Sequence, residues 1–444
     1  MKRKLLRQIF NEWRSNTWLL VELLLVSVVM WYIICYLTTQ TIIFNQDLGY
    51  DYTDVCQISF EAISDDSSEY NPDYNGSDAQ IASFKAITER LANVPSAKVV
   101  STSSWSLPFS QSFFGVGLSA SDGIDSLSVI NSGLHIVSPE YFEVLRISGA
   151  NGETPEQLAN LMRQGNAMLL TPDFIALTNP NAPVFKSSDS QAIWQELMNQ
   201  SNAFDKKKII GRTVVATTDT LRPYRVAALT VPIKRYQFES PSTFCFIPMA
   251  ADFFNADNLE CMVRTKPGKL KEFSDYVLTK ADSEFRVGNI YVSNVTSLSD
   301  KSHDVCADRM IQIRNYVTVV FFLLLCIFLG LLGTFWFRTQ QRVAEIAIRK
   351  VNGATSQQVF KRFIGEGLIL LTISTVPAIV IDLILCHYEQ VYLLTNGNGA
   401  YEPSMIALTL AITYIVMAAI IVLGILFPAY RAMKVQPAIA LKDE

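Results

Sequence analysis

Residues 342–366 read RVAEIAIRKVNGATSQQVFKRFIGE, between two strongly apolar runs. Arg338, Arg342, Arg349, Lys350, Lys361 and Arg362 bracket the stretch, the charge pattern of a short loop kept on the cytoplasmic side of a membrane. Gly353 comes just after Lys350 and interrupts the helical pattern, as a glycine at a helix C-terminus does. Thr355 then offers a side-chain oxygen to the free N–H groups of a new helix. Gln358, three residues later, completes the spacing of a capping box. The stretch is therefore expected to couple two transmembrane helices through a short helix of its own, over Thr355 to Arg362.

Outward from it, apolar residues collect in four runs, 18–37, 316–337, 367–386 and 405–427. Each is near the roughly 20 residues that cross about 30 Å of hydrocarbon. Lys2, Arg3, Lys4, Arg7 and Arg14 precede the first run, but Tyr36, Leu37, Thr38 and Thr39 offer no small-x-small cleavage site, so it reads as an uncleaved signal anchor. Residues 1–17 place Leu5, Leu6, Ile9, Phe10 and Trp13 on one helical face and Lys4, Arg7, Asn11 and Arg14 on the other, an interfacial amphipathic helix. With the N-terminus inside, four crossings bring the C-terminus inside too. Arg431, Lys434 and Lys442 in the tail agree, and 387–404 carries no Lys or Arg. The expected order is an amphipathic helix (1–17), helix 1 (18–37), an extracytoplasmic domain (38–312) and helix 2 (313–337). A cytoplasmic coupling segment (338–366), helix 3 (367–386), an outside loop (387–404), helix 4 (405–427) and a cytoplasmic tail (428–444) follow. The fold class is an α-helical membrane protein with four transmembrane helices and a large α+β extracytoplasmic domain inserted between helices 1 and 2.

The segment 38–312 is too long and polar for a loop. Lys98–Ser101, Lys208–Thr217, Tyr224–Ile233, Thr243–Pro248 and Glu260–Arg264 read as strands. Ala79–Asn93, Thr154–Arg163, Ser190–Met198 and Leu270–Ser283 read as helices. Two subdomains are expected, with Asp65–Ser77 and Ser119–Asp125 as mobile surface loops. The domain carries 32 Asp and Glu against 22 Lys and Arg, while the rest of the chain has 9 against 15. That split argues against nucleic acid as a partner and suits membrane lipids with an anionic cytoplasmic leaflet.

Seven cysteines and three histidines form no metal-ligand spacing. Cys56, Cys245, Cys261 and Cys306 lie outside, with Cys245–Cys261 a candidate bridge. His135 sits in an alternating apolar context, which favours a structural, hydrogen-bonded imidazole over a catalytic one. The G-x-S-x-G elbow of a nucleophilic hydrolase and the G-x-x-x-x-G-K-[ST] phosphate loop are both missing from the sequence. No catalytic, cofactor-binding or metal site is expected; if ATP drives this protein, a separate subunit must bind it. Among charges in the apolar runs, Glu22 and Asp382 lie near enough to an interface to reach water. Glu366 is expected to pair with Arg362 or with a cation of a neighbouring helix.

The opening stretch resembles the FtsX-like permease domain of MacB-type ABC transporters, whose members carry R-x-x-E-I-x-I-R-K-x-x-G-A after the second crossing. Arg342, Glu345, Ile346, Ile348, Arg349, Lys350, Gly353 and Ala354 match it, Glu366 matches the acid of the third helix, and Arg431, Pro437 and Ala440 match the usual ending. More loosely, Val137–Leu145 (VSPEYFEVL), followed by Gly149 or Gly152, is similar to a segment of the MacB-type periplasmic core. Two departures stand out: the outside region is longer than that core, and no nucleotide-binding domain is fused as in MacB. The resemblance implies a permease subunit in a bacterial inner membrane, with its large domain periplasmic. Its partners would be an ABC ATPase subunit that binds ATP and Mg2+, a second copy or a related permease forming a homodimer or heterodimer, and a periplasmic adaptor with an outer-membrane channel. ATP-driven motion would then serve export or extrusion. The alternative is an FtsX-like signalling subunit that activates a cell-wall enzyme. The residues implied for ATPase coupling are Arg342, Glu345, Arg349, Lys350, Gly353, Ala354, Thr355, Gln358, Arg362 and Glu366.

Overall fold

The computed structural model describes residues 13–110, 114–120, 128–177, 200–216, 219–249, 258–387 and 403–434. Several expectations lie outside them: most of the amphipathic helix 1–17, the helix Ser190–Met198, the end of the loop Ser119–Asp125, the connection 387–404, Pro437 and Ala440, and the side chains of Arg338 and Cys386. In chain order the α-helices are α1 (Trp13–Asn45), α2 (Ser77–Ala92), α3 (Tyr141–Leu145), α4 (Pro155–Met162), α5 (Leu270–Thr279), α6 (Leu298–Gln341), α7 (Val343–Val351), α8 (Ser356–His387) and α9 (Pro403–Met433). The strands are β1 (Val55–Ala62), β2 (Ala97–Ser104), β3 (Phe114–Ala120), β4 (Ser128–Val137), β5 (Ala167–Leu170), β6 (Ile175–Leu177), β7 (Thr213–Ala216), β8 (Asp219–Leu229), β9 (Phe244–Pro248), β10 (Leu259–Thr265), β11 (Arg286–Val287) and β12 (Ile290–Ser297). The chain divides into two compact units, Met1–Ile42 with Arg309–Glu444, and Ile43–Asp308.

The first unit is helical. Among the described residues, four helices are long and apolar enough to cross a membrane: α1, α6, α8 and α9. At 1.5 Å per residue the 44-residue α6 is about 66 Å long, roughly twice the hydrocarbon thickness. The bundle core is built from Leu23 and Met30 of α1, Ile327, Leu331 and Phe335 of α6, Val359, Phe363 and Leu370 of α8, and Met417, Ile421 and Ile425 of α9. Small residues let the helices approach closely, as membrane packing favours. A Cβ on Gly367 would lie 2.2 Å from Cδ1 of Ile425, and one on Gly424 would lie 3.1 Å from Cβ of Leu331. Pro377 and Pro428 stand inside helices α8 and α9, which membrane helices tolerate when neighbours satisfy the freed backbone groups. Glu22 lays its carboxylate against Gly330, where an added Cβ would be 2.9 Å from Oε1.

The second unit is an α+β domain whose described strands join in one twelve-stranded sheet rather than in separate subdomain sheets. Its order is β11-β12-β1-β10-β2-β4-β3-β7-β8-β5-β9, with β6 paired to β4 off this path, and the further pairing of β9 with β4 closes the last six strands of the order into a ring. Alternation shows the closure side chain by side chain, because successive residues of a strand point to opposite faces. Cys245 and Ile247 of β9, Met168 and Leu170 of β5, and Leu134 and Ile136 of β4 share the ring's inner core. Their alternates Phe244, Phe246, Leu169 and Val137 pack outward against α3 and α4. In the open part of the sheet, Cys56, Ile58, Cys261 and Val263 face α2 and α5, while Val55 and Met262 face α3 on the other side.

Three expectations change here. Cys245 and Cys261 belong to different cores and both are free thiols, so the candidate bridge is absent. The segment Asp65–Ser77 is pinned rather than loose: Asn71 N–H donates to Oδ1 of Asn289 (2.9 Å) and Asn289 Nδ2 donates back to the Asn71 carbonyl (2.8 Å). Tyr74 lies over Gly288, whose positive φ of 61° favours glycine. His135 is structural but not hydrogen-bonded, since both ring nitrogens are buried without a partner between Phe244 and Phe246.

Burial pulls the His135 imidazole from 6.5 down to about 4, because the charged form loses its hydration. The sign follows directly: the folded state binds this proton more weakly than the unfolded chain. The stability held above pH 6.5 is therefore lost as pH falls through about 4, by up to about 3 kcal/mol. Denaturant melts of the full chain across this window should show the acid loss, and His135→Phe should flatten it. An unchanged acid slope in the variant would rule His135 out as its source.

A segment after β8 grips both helix ends that belong to this domain. Lys234, with no exposed surface, donates through Nζ to the carbonyls of Ile43 (2.6 Å) and Gln46 (3.1 Å) at the end of α1. Gln237 donates through Nε2 to Oγ of Ser302 in the first turns of α6 (2.8 Å), and its Oε1 accepts from Sγ of Cys306 (3.1 Å). The Val137–Leu145 segment has a clear physical role as well. Tyr141 Oη donates to the carbonyl of Ser106 (2.7 Å), whose own N–H donates to Oε2 of Glu260 (2.8 Å), and this fixes the loop after β2.

Candidate functional site

The stretch 342–366 folds as a helix, a tight turn and a second helix. Arg342 is the single non-helical residue between α6 and α7, with φ −104° and ψ 16°. The amphipathic α7 buries Ile346 and Ala347 and exposes Ile348 and Val351. Its end is a Schellman turn: the Ala354 N–H donates to the Arg349 carbonyl and the Gly353 N–H to the Lys350 carbonyl, each at 3.0 Å. Gly353 adopts φ +93°. Nothing lies within 4 Å of a Cβ placed there, so the demand for glycine is conformational and not steric. Gly353→Ala is expected to cost about 1 kcal/mol through left-handed strain, and Gly353→Asn less. Thermal unfolding of the two variants in detergent checks this, and equal stabilities would remove the strain argument.

The capping box at the next helix is formed in both directions. Oγ1 of Thr355 accepts from the Gln358 N–H (3.3 Å), and Oε1 of Gln358 accepts from the Thr355 N–H (3.1 Å). Beyond it the expectation needs correcting. Residues 356–387 form one uninterrupted helix, so Thr355 to Arg362 is the beginning of the third membrane helix, and the short separate helix is α7, before Gly353. Gly365 is too weak a breaker to end a helix whose Val359 and Phe363 are held in the core.

Charges lock the two arms of this hairpin. Glu366, only 3% exposed in its side chain, pairs with Nη1 of Arg342 at 3.4 Å, and Arg342 is 16% exposed. The cation at the α6–α7 break is thus its ion-pair partner, the second of the two expected possibilities, and Arg362 adds attraction from one turn earlier on α8. Glu345 accepts from Nε of Arg349 one turn later (2.9 Å) and lies 3.9 Å from Arg362 of α8. Three arginines and two glutamates therefore bridge α7 and α8. Lys350 ties the hairpin to α9 by donating through Nζ to the carbonyl of Met433 (2.6 Å), which also accepts from Oγ of Ser356 (3.2 Å). A cation at a helix C-terminus meets its free carbonyls and its negative dipole end.

All ten residues named for coupling thus fall within one hairpin, while Lys361 of the bracketing cations is exposed. Sequence reasoning missed Ser356, Met433 and Trp336. The Trp336 ring stacks on Phe427 at 5.6 Å, and the Arg431 guanidinium lies 4.3 Å from the Trp336 centroid, an arrangement worth about 0.5–2 kcal/mol. No local pattern links residues so distant along the chain. Among the described residues no cluster of His, Cys, Asp and Glu could hold a metal ion.

Residues 317–437 match the FtsX-like permease C-terminal family. The chain carries an FtsX-like permease domain. The junction, helices α8 and α9, and the part of α6 from residue 317 onward fall inside the matched residues. A curated relative, the lipoprotein-releasing system transmembrane protein LolC of Haemophilus influenzae, is 31% identical over 102 residues. That match spans 22% of this chain and about a quarter, 26%, of the relative's length. Among solved structures, a permease-protein domain from Porphyromonas gingivalis aligns over 57% of this chain and 92% of its own, at 10% identity and a TM-score of 0.33. The periplasmic region of MacB from Actinobacillus actinomycetemcomitans aligns over 58% and 95%, at 11% identity and a TM-score of 0.29. With TM-scores this low, the assignment rests on the permease domain.

Proposed function

We propose that the chain is the permease-type membrane subunit of an ABC transporter complex. In this reading it transmits the motion of a separate ATPase subunit to its large extramembrane domain, for export or extrusion of a substrate. The observation that carries this reading is the braced hairpin. Ile348 and Val351, 51% and 64% exposed, form an apolar outer face on α7, while the inner face is tied to α8 by ion pairs and to α9 through Met433. A push on such a face moves α7, α8 and α9 together, because ion pairs and hydrogen bonds tie them to one another. ATP and Mg2+ are held by the partner, and this chain's residues receive and pass on the displacement.

The test uses the full chain in lipid nanodiscs. Alone it is expected to hydrolyse no ATP, and with its cognate ATPase it should support stimulated hydrolysis. A cysteine at Ile348 or Val351 should crosslink to that ATPase. Hydrolysis by the isolated chain, or crosslinks only elsewhere, would overturn the proposal.

A further inference from the structure

A second polar site in the four-helix unit lies about 24 Å along α8 from Glu366, at 1.5 Å per residue. Asp382 is 2% exposed and its Oδ1 has no hydrogen-bond partner. Ser27 of α1 is 4% exposed, and its Oγ is likewise unpartnered. Both line a cavity of about 10 Å3, together with Trp31, Thr375, Ala378 and Thr413, which is room for a single water molecule. The expectation that Asp382 reaches water through a nearby interface does not hold, because helix packing encloses it.

Apart from the Ser27 hydroxyl, the donors around the cavity are already committed. Thr375 Oγ1 donates to the Leu371 carbonyl (2.8 Å), Thr413 Oγ1 to the Thr409 carbonyl (2.8 Å), and Trp31 Nε1 to Oγ1 of Thr409 (3.1 Å). Among the described residues no Lys, Arg or His pairs with Asp382. Among the described residues the titratable groups facing it are the Cys35 thiol of α1 and the Tyr414 phenol of α9, and neither supplies positive charge. An ionised carboxylate enclosed here would have no counter-charge, only the Ser27 hydroxyl and one water to meet it, and is strongly disfavoured. A neutral carboxylic acid needs no counter-charge, and its own O–H can donate to the cavity water.

We propose that Asp382 is a proton-binding site of the bundle. Its ligands are one proton and one water: the acid O–H donates to the water, and the water donates on to Oγ of Ser27. Separation of α1 from α8 that admits bulk water lets the acid pass its proton to that water and leaves a carboxylate. Any such movement of the bundle is therefore linked to proton release.

Infrared difference spectroscopy of the full chain in lipid nanodiscs tests this, with Asp382→Asn subtracted from the unaltered protein at neutral pH. The expected spectrum contains a protonated-carboxyl stretch of one residue, shifted in heavy water, displaced by Ser27→Ala and indifferent to exchange of sodium for potassium. Ionised-carboxylate bands in its place would overturn the proposal. A protonated band that disappears in sodium would overturn it too, by identifying a small-cation site instead. Should Asp382→Asn fail to fold, Ser27→Ala alone decides: a protonated-carboxyl band displaced by it supports the site, and no displaced band rules it out.

Discussion

Glu366→Gln is expected to leave the four-helix unit folded while uncoupling it from ATP hydrolysis. The substitution keeps the size and most of the polarity of a side chain that is almost fully enclosed, but removes the carboxylate paired with Arg342 at the α6–α7 break. Glu345 would keep its contacts with Arg349 and Arg362, but the carboxylate beside Arg342 would be gone. Losing one partner of an enclosed ion pair costs several kcal/mol when both groups are fully buried. Here Arg342 keeps some access to water and the 3.4 Å separation is long for a charge-assisted hydrogen bond. The expected loss is therefore on the order of 2 kcal/mol, concentrated where α7 hangs from α6 and α8. In a reconstituted complex it should appear as a drop of about thirtyfold in stimulated hydrolysis, since each 1.4 kcal/mol is a factor of ten. The exchange Arg342→Glu with Glu366→Arg should recover part of it. If Glu366→Gln couples normally, or the exchanged pair is no better than either single change, the pair is only a membrane anchor.

Lys234→Met is expected to have an effect of similar size in the second unit. Methionine nearly matches the length and volume of lysine but donates no hydrogen bond. The Gln46 carbonyl then loses its ammonium partner, and the Ile43 carbonyl keeps only the Gln46 N–H. Leaving a buried acceptor unsatisfied costs about 1–3 kcal/mol, and the attraction between the ammonium and the helix C-terminus is lost as well. The last turn of α1 should fray, with amide exchange of residues 41–47 rising at least tenfold while the sheet strands stay protected. If α1 carries motion to the domain, the same variant should also reduce coupling without changing ATPase binding. Unaltered exchange in that turn would show that Lys234 does not hold it.

Much of the permease junction was legible in one dimension because its signals are local. Gly353 and the Thr355/Gln358 pair act within a few residues, through backbone conformation and two short hydrogen bonds, and both form as the spacing implies. Helix continuity was less legible. Nothing local distinguishes a short helix over Thr355 to Arg362 from the first turns of a long one until Val359 and Phe363 are seen packed in the same core as Leu370. Strands expected at Thr243–Pro248 and Glu260–Arg264 were found within a residue or two. Val55–Ala62 and Ile290–Ser297 were not foreseen, since their polar residues satisfy cross-strand partners that lie far away in sequence.

Four apolar runs, a charged hairpin and its glycine are properties of the chain itself, because burial in lipid and backbone conformation act on each segment wherever the rest of the molecule goes. The tertiary structure alone decided which charges meet. Glu366 had cations within reach on both sides, and only the fold of α7 against α8 selected Arg342. The same holds for closure of the sheet through β4 and β9, for the grip of Lys234 on α1, and for the enclosure of Asp382. Each depends on groups brought together across many residues, and a linear pattern carries the identity of such groups but not their distance.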